Sequence, residues 1–415
     1  MGTTKDIDTI VTELLVVKGN PIFQLSLAAK ELFHSNFLYW IASRYPKLFN
    51  EVMKKLGVNI ELSEESEKNI IEREYNHFDF CVCVLEQKKR KNSIEKKKIS
   101  FVLENKFKSI PYIAQLEKYD NQIKKINGVK VGEELNIPRV LLTLATEFDG
   151  YDAKEKDNVN GWKVITYSDY IKAIRDVLSE YNLDTFGKEL IDRYCSFVET
   201  IATGFNSMLN KALSWKQMLD VSKELEDIRL HDVWQKLYAS KVFTQLENYT
   251  PIPEKDFSVM MKKVNNKEII ITAGNIYKEL SYGTSGAYIS VAIPVKVDDL
   301  WLCIIIQVQG HDYRIGFVAE KNFIVKKGQE NKFADIIQPF TFLLKETSIK
   351  GKIGNKEDIS NLETYCVFNS DYPFYYRKWA NDDKLSDDNK MAEVLRNDIE
   401  AIKKNINIQN TIINI

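Results

Sequence analysis

The chain has 415 residues, and its 58 lysines and arginines nearly balance its 59 aspartates and glutamates, for a net charge of -1. This length predicts two or three domains. The charge balance excludes a globally basic surface, so any nucleic-acid site must be a local patch. Five scattered cysteines without a CxxC pair argue against a disulfide framework or a zinc knuckle. No apolar run approaches the ~20 residues of a membrane span, and we expect a cytoplasmic protein that does not enter a membrane.

The first half of the chain changes from a helical pattern to a strand pattern. Apolar residues recur at helical spacing over residues 5–56, and residues 70–85 and 99–103 then follow the period of strands. A lysine-rich segment, QKKRKNSIEKKK, separates these strands. We interpret it as a solvated hairpin tip, with a phosphate-contacting finger as the alternative.

Helices and strands alternate after this hairpin. Pro111 is expected to start a helix that runs to about Ile126. Residues 137–146 indicate a fully buried strand, and another strand from Gly161 leads into a helix and then a long helical stretch. These elements predict a first domain over residues 1–214.

The composition changes from about residue 215. Residues 215–248 are charged and helical, whereas residues 268–327 contain four apolar runs separated by turn residues, as in an antiparallel meander. A charged helix is predicted at about 387–408. We therefore predict a second domain over residues 215–415, of α+β class with an antiparallel sheet.

Two of the predicted strands carry charged residues at apolar positions. Asp79 interrupts HFDFCVCVL, and Glu104 and Lys106 end ISFVLENK. Side chains alternate along a strand, so Glu104 and Lys106 share a face. A hairpin centred on the lysine-rich segment pairs Val84 with Ile99 and Asp79 with Glu104, although a slip of one residue would separate the two acids.

Two carboxylates this close repel each other unless a cation lies between them. Oxygen ligands suit Mg²⁺ or Mn²⁺, and the backbone carbonyl of Asn105 offers one more. Such a metal lowers the pKa of water and stabilises charge on a phosphate, and Lys106 would orient the water or neutralise a phosphate oxygen. We predict Asp79, Glu104 and Lys106 as catalytic residues, with both acids and Asn105 as metal ligands. The alternatives are a buried Glu104–Lys106 ion pair and an edge strand whose polar residues face water.

Gln115 and Tyr119 lie four residues apart in PYIAQLEKYDNQI, on one face of the helix that follows. Because this helix follows the motif strand directly, we expect that face to point back toward the site. Both side chains are neutral donors for a phosphodiester backbone, and we predict that they bind substrate. The alternative is a surface helix with an ordinary glutamine.

The order of these motifs resembles the PD-(D/E)xK nuclease superfamily. A helix with ELFHSNFL, a strand with Asp79, a strand ending VLENK and a helix with QLEKY follow one another, and the QxxxY spacing is similar to that of the RecB-like branch. The likeness extends to uncharacterised bacterial members with an HSxFL helix and an IENK strand, and the segment WKVITYSDYI also looks like theirs. The resemblance covers roughly residues 25–180.

The resemblance implies an α/β, restriction-endonuclease-like fold, in which helices flank a mixed sheet and the site lies at one sheet edge. It implies metal-dependent hydrolysis of nucleic acid, with DNA favoured over RNA, and by analogy alone a role in bacterial defence. It suggests Glu31 as an additional metal ligand. His34 and Ser35 share the face of Glu31, and we predict that they bind substrate, with a packing role as the alternative for His34.

The chain departs from the family pattern in two places. Phe78 stands where the family has proline, and the spacing between Asp79 and Glu104 is longer than in compact members. The alternative to an enzyme is a nuclease fold without catalysis that serves as a nucleic-acid or protein binding platform. A homo-oligomer is compatible with the sequence.

Overall fold

The computed structural model describes two compact units. By contacts, one consists of residues 1–211 with 221–240 and the other of 212–220 with 241–415. The predicted domain boundary after residue 214 lies within the segment 212–220, which belongs to the second unit although 221–240 belongs to the first. This boundary stays a prediction. The described residues are 6–29, 31–62, 69–86, 96–130, 133–148, 151–153, 156–254, 256–272, 274–283, 286–297, 300–320, 363–365, 371–372, 374–379, 385 and 391–413. The lysine-rich segment therefore lies mostly outside them.

The first unit is built from eight described strands and seven described helices. The strands are β1 (Asn69–Tyr75), β2 (Phe78–Glu86), β3 (Lys96–Lys106), β4 (Arg139–Thr143), β5 (Glu147–Phe148), β6 (Tyr151–Asp152), β7 (Asn158–Val159) and β8 (Trp162–Thr166). The helices are α1 (Ile7–Leu15), α2 (Pro21–Ala29), α3 (Glu31–Arg44), α4 (Pro46–Lys55), α5 (Ile113–Asn127), α6 (Tyr167–Leu178) and α7 (Thr185–Leu209). Two more helices, α8 (Trp215–Glu224) and α9 (His231–Gln245), contribute residues to both units.

A six-stranded sheet in the order β1-β2-β3-β4-β8-β7 forms the centre of this unit. The pairs β1–β2, β2–β3 and β7–β8 are antiparallel, whereas the pairs β3–β4 and β4–β8 are parallel. Parallel strands require a crossover connection, which α5 supplies between β3 and β4. The sheet is thus mixed and flanked by helices, which confirms the predicted fold class.

Helices α3 and α5 cover opposite faces of this sheet. The side chain of Asn105 reaches Ser35 on α3, whereas Glu104 contacts Tyr119 on α5, and consecutive strand residues point to opposite faces. Asp120 fixes α5 to the parallel strands through bonds to Arg139 at 2.6 Å and to the Trp162 indole at 2.8 Å. The face of α5 that carries the QxxxY residues is therefore held against the end of β3.

Helix α5 begins later than the sequence predicts. Tyr112 has extended backbone angles, φ -122° and ψ 128°, and the helix starts at Ile113 rather than at Pro111.

In the described part of the chain, no single helix has both the length and the hydropathy to cross a membrane. The bent pair Ile7–Gly19 and Pro21–Leu27 meets that test only together, across an 89° bend.

The second unit contains a seven-stranded sheet in the order β14-β15-β13-β12-β11-β10-β9. Its pairs are antiparallel except β9 with β10, as expected for the predicted meander. Its strands are β9 (Thr250–Pro251), β10 (Tyr277–Gly283), β11 (Gly286–Val297), β12 (Leu300–Gln309), β13 (Asp312–Val318), β14 (Glu363–Tyr365) and β15 (Phe374–Trp379), and its helices are α10 (Phe257–Asn265) and α11 (Met391–Ile413).

One predicted strand of this meander is wrong. The run EIIITAG forms no strand in its described residues, because Lys267 turns the chain in the left-handed region at φ 61° directly after α10. Ile271 then packs into the hydrophobic core beneath α10, while Ile270 is 97% exposed. Tyr372, Phe374 and Tyr376 also belong to this core.

Candidate active site

The end of the β2–β3 hairpin brings the predicted acidic residues together. Phe80 pairs with Leu103 in the antiparallel ladder. The next positions along the two strands are Asp79 and Glu104, so these residues lie opposite each other. This is the register that the sequence predicts at this end of the hairpin.

A bulge changes the register nearer the loop. Ser100 is left unpaired in the ladder, and its hydroxyl donates to the Val82 carbonyl at 3.0 Å. The predicted pairing of Val84 with Ile99 is wrong, because Cys83 pairs with Ile99 instead. One extra residue in a strand leaves the hydrophobic pattern readable but moves every partner beyond it by one position.

The main chain of β3 fixes the carboxylate of Asp79. Its Oδ2 accepts a hydrogen bond from the Asn105 amide at 2.8 Å. The Val102 N–H and the Lys106 carbonyl bond toward the β4 side. Because this direction alternates along a strand, the Asn105 N–H and carbonyl both point toward the Asp79 side. The carbonyl that the sequence predicts as a metal ligand therefore faces the site.

Glu104 lies at the centre of a chain of polar contacts. Its side chain is 2% exposed, and its Oε1 is 2.9 Å from the Lys106 Nζ. The Tyr119 hydroxyl donates to the same oxygen at 3.2 Å and accepts from the Gln115 Nε2 at 2.8 Å. Both QxxxY residues are thus connected to the site through Glu104, and Tyr119 is almost completely buried.

Burial and like charge dominate the electrostatics of this cluster. Burial raises the pKa of the Asp79 carboxyl, and the nearby Glu31 raises it further against the opposing effects of Asn105 and Lys106. Burial, followed by the charge of Asp79, raises the pKa of Glu104 to about 8. Burial alone would lower the pKa of Lys106, but the surrounding carboxylates outweigh it and raise that pKa. The lysine therefore stays charged while the acids favour a proton.

The donor atoms fit a divalent metal ion. The Glu104 Oε2 is buried and has no hydrogen-bond partner among the described residues, which is costly in a protein interior. A cation at the two carboxylates would remove both this deficit and the repulsion. Asp79, Glu104 and the Asn105 carbonyl would hold it, and these hard oxygen donors are those that Mg²⁺ and Mn²⁺ prefer.

Glu31 lies at the start of α3 beside this cluster. Its Oε1 accepts hydrogen bonds from the Lys108 amide at 3.2 Å and from the Ser109 hydroxyl. Its charge raises the pKa of both Asp79 and Lys106, so it contributes to the field of the site. Its role as a further metal ligand stays a prediction.

The side chain of Asn105 ties the motif strand to the helices behind it. Its Nδ2 donates to the Glu31 carbonyl at 3.1 Å and to the Ser35 hydroxyl at 3.2 Å. The Tyr167 hydroxyl donates to its Oδ1. Sequence reasoning did not assign a function to Tyr167, and its only signal was its place in the segment WKVITYSDYI.

His34 and Ser35 are completely buried behind β3. The His34 ring stacks on Phe107 with 3.8 Å between centroids, and its Nδ1 lies 3.0 Å from the Tyr194 hydroxyl. Burial lowers the pKa of His34 well below its usual value, so the ring is neutral. The predicted substrate contacts gain no support from this geometry, which favours the alternative, a packing and hydrogen-bonding role.

Comparison with known proteins agrees with this geometry. No curated protein and no solved structure matches the chain. Residues 20–196 match the model of the PD-(D/E)XK nuclease superfamily, and this range contains all the strands of the six-stranded sheet and every candidate site residue. The N-terminal region of this chain is therefore similar to the PD-(D/E)XK nuclease superfamily over residues 20–196.

Proposed function

We propose that this protein is a metal-dependent nuclease that hydrolyses phosphodiester bonds, with DNA as the favoured substrate. One observation carries the proposal: the buried Glu104 lies opposite Asp79, and the Lys106 Nζ lies 2.9 Å from its Oε1. Nucleases of this superfamily generally use divalent metal ions, and the oxygen donors described above suit Mg²⁺ or Mn²⁺.

Each residue of the cluster has a distinct task in this proposal. A bound divalent ion would lower the pKa of water and stabilise negative charge on phosphorus-bound oxygens. Lys106 keeps its proton, and its ammonium group orients the attacking water or neutralises a phosphate oxygen. Tyr119, supported by Gln115, holds the Glu104 carboxylate in place. The Asn105 amide holds Asp79, so both acids are oriented before a ligand arrives.

The preference for DNA rests on the superfamily alone, and RNA is tested beside it. A role in bacterial defence is proposed on the same analogy. A catalytically inactive binding platform is the competing outcome of the experiment below.

A cleavage assay tests the proposal directly. Single- and double-stranded DNA and RNA are incubated with the protein and Mg²⁺ or Mn²⁺, and the Lys106→Ala variant is compared with wild type. Lys125→Ala is the matched control, because this lysine is exposed at the far end of α5. We expect cleavage that both EDTA and Lys106→Ala abolish and that the control retains. Binding without cleavage in either metal would contradict catalysis and support the platform.

A further inference from the structure

A second cluster of ligating side chains lies on β1 and β2. Cys81, Cys83 and Glu72 place three ligand atoms within 4.8 Å of one another. The two Sγ atoms are 3.9 Å apart, and the Cys83 Sγ is 3.8 Å from the Glu72 Oε2. Both cysteines are free thiols and completely buried.

The strand pattern accounts for this convergence. In the sequence Cys-Val-Cys the two thiols share one face of β2. Glu72 of β1 pairs directly with Cys81 across the ladder, so its carboxylate reaches the same face. A carboxylate beside two buried thiols adds nothing to apolar packing and costs desolvation energy, so the arrangement needs another explanation.

Two of the spacings among these three atoms are close to those of a tetrahedral metal site. Zinc binds thiolates at about 2.3 Å and carboxylate oxygens at about 2.0–2.2 Å. At the tetrahedral angle, two such thiolates lie about 3.8 Å apart, and a thiolate and an oxygen about 3.6 Å apart. The distances of 3.9 Å and 3.8 Å are close to these values. A disulfide would need the sulfurs at about 2.05 Å.

Lys97 completes the arrangement from outside. Its ammonium group pairs with the Glu72 Oε1, which leaves the Oε2 toward Cys83. Ligating carboxylates are commonly held in this way by an outer hydrogen-bond partner. The charges also balance, because a divalent ion and one ammonium group neutralise two thiolates and one carboxylate.

We propose that Cys81, Cys83 and Glu72 bind one thiophilic divalent cation, with Zn²⁺ as the reference ion. On binding, each thiol releases its proton to solvent and no oxidant is required. Three protein ligands leave a fourth position open. The ion joins the edge strand β1 to β2, the strand that carries Asp79, and thereby stabilises this part of the sheet.

Cobalt substitution tests the site in the reduced full-length protein. We expect Co²⁺ to produce thiolate-to-cobalt charge-transfer absorption that saturates at one ion per chain and that Zn²⁺ displaces. Excess Mg²⁺ is present throughout to occupy oxygen-ligand sites, which give no thiolate absorption. The absence of this absorption at stoichiometric Co²⁺ overturns the proposal.

Variants assign the ligands. Glu72 has a side chain that is 21% exposed, so Glu72→Gln is the substitution least disruptive to folding, and we expect about tenfold weaker Co²⁺ binding or more. Cys83→Ser should abolish the absorption, whereas Cys195→Ser, at a buried cysteine of α7, should preserve it. Zn²⁺ should raise the melting temperature of wild type and Cys195→Ser by more than that of Glu72→Gln. Unchanged affinity in Glu72→Gln, or loss of the signal in Cys195→Ser, refutes the assignment.

Discussion

The amide of Asn105 lies 2.8 Å from the Oδ2 of Asp79, so the middle residue of the ENK motif orients the first acid of the site through its backbone. Its side chain points to the other face of the sheet and contacts Ser35 and Tyr167. One residue therefore couples the geometry of the acidic pair to the packing of the helices behind it.

Asp79→Asn separates the charge of this residue from its hydrogen bond. The amide oxygen still accepts from Asn105, but one negative ligand is lost. We expect cleavage to fall about 100-fold or more, because even outer partners of metal ligands cost about 10–100-fold. The melting temperature without metal should not fall, because the change removes a buried like charge. Asp220→Asn, at an exposed position, is the control, and normal cleavage by Asp79→Asn would contradict a ligand role.

Tyr119→Phe tests whether the QxxxY tyrosine supports Glu104 or binds substrate. The change removes the hydroxyl that donates to Glu104 and accepts from Gln115. Because Tyr119 is nearly buried, we expect about a tenfold lower kcat with little change in KM. Tyr181→Phe removes a hydroxyl that donates to the Lys47 carbonyl at 3.4 Å, and this variant should behave as wild type. A higher KM with unchanged kcat would instead support the predicted substrate contact.

Asn105→Ala should destabilise the first unit. It removes the Asn105 oxygen that accepts a hydrogen bond from the buried Tyr167 hydroxyl, and losing such a buried hydrogen bond costs about 1–3 kcal/mol. Urea unfolding followed by circular dichroism measures the loss. Asn206→Ala removes an exposed 3.5 Å contact with Ser168 and should lie within about 0.5 kcal/mol of wild type. Equal stability of the two variants would show that the Asn105 side chain contributes nothing to the fold.

The second unit should lose stability as the pH rises. Burial raises the pKa of Glu279 from 4.5 to about 8. The folded state then keeps a proton that the unfolded state releases, so this contribution is complete below about pH 4.5 and is lost as the pH rises through about 8. Glu279→Gln should remove about 3–5 kcal/mol of that loss, since each pKa unit corresponds to about 1.4 kcal/mol.

Calorimetric melting of wild type and Glu279→Gln between about pH 4.5 and 8.5 checks this result. The raised pKa of Glu104 also lowers the stability as the pH rises, but this contribution is present in both proteins and cancels in their difference. A difference in melting temperature that does not grow with pH would show that Glu279 is ionised in the fold.

Much of the candidate site was predictable because strand alternation and the position of the hairpin are both readable from sequence. These two features place Asp79 opposite Glu104, and the helix directly after β3 returns Tyr119 to the same acid. The roles of His34 and Ser35 were harder to predict from the sequence. A shared helix face does not show whether that face meets solvent or the back of a strand, which only the packing of α3 on the sheet decides.

Two other features depend on geometry that hydrophobic patterns do not encode. The run EIIITAG has the composition of a strand, but the left-handed turn at Lys267 directs it against α10. The thiol cluster was also hidden, because its third member, Glu72, comes from a neighbouring strand. The alternation of Cys81 and Cys83 alone has no metal-binding spacing that a sequence search would select.

The bulge at Ser100 has a consequence for how this protein can vary. Between Ser100 and the active site, the strands keep the register of the Phe80–Leu103 pair. Between Ser100 and the lysine-rich segment, the register is shifted by one residue. Insertions or deletions in the lysine-rich segment can therefore be absorbed on its side of Ser100, without changing the register at the active site. Related proteins should tolerate connections of very different length there while the two acids keep their alignment.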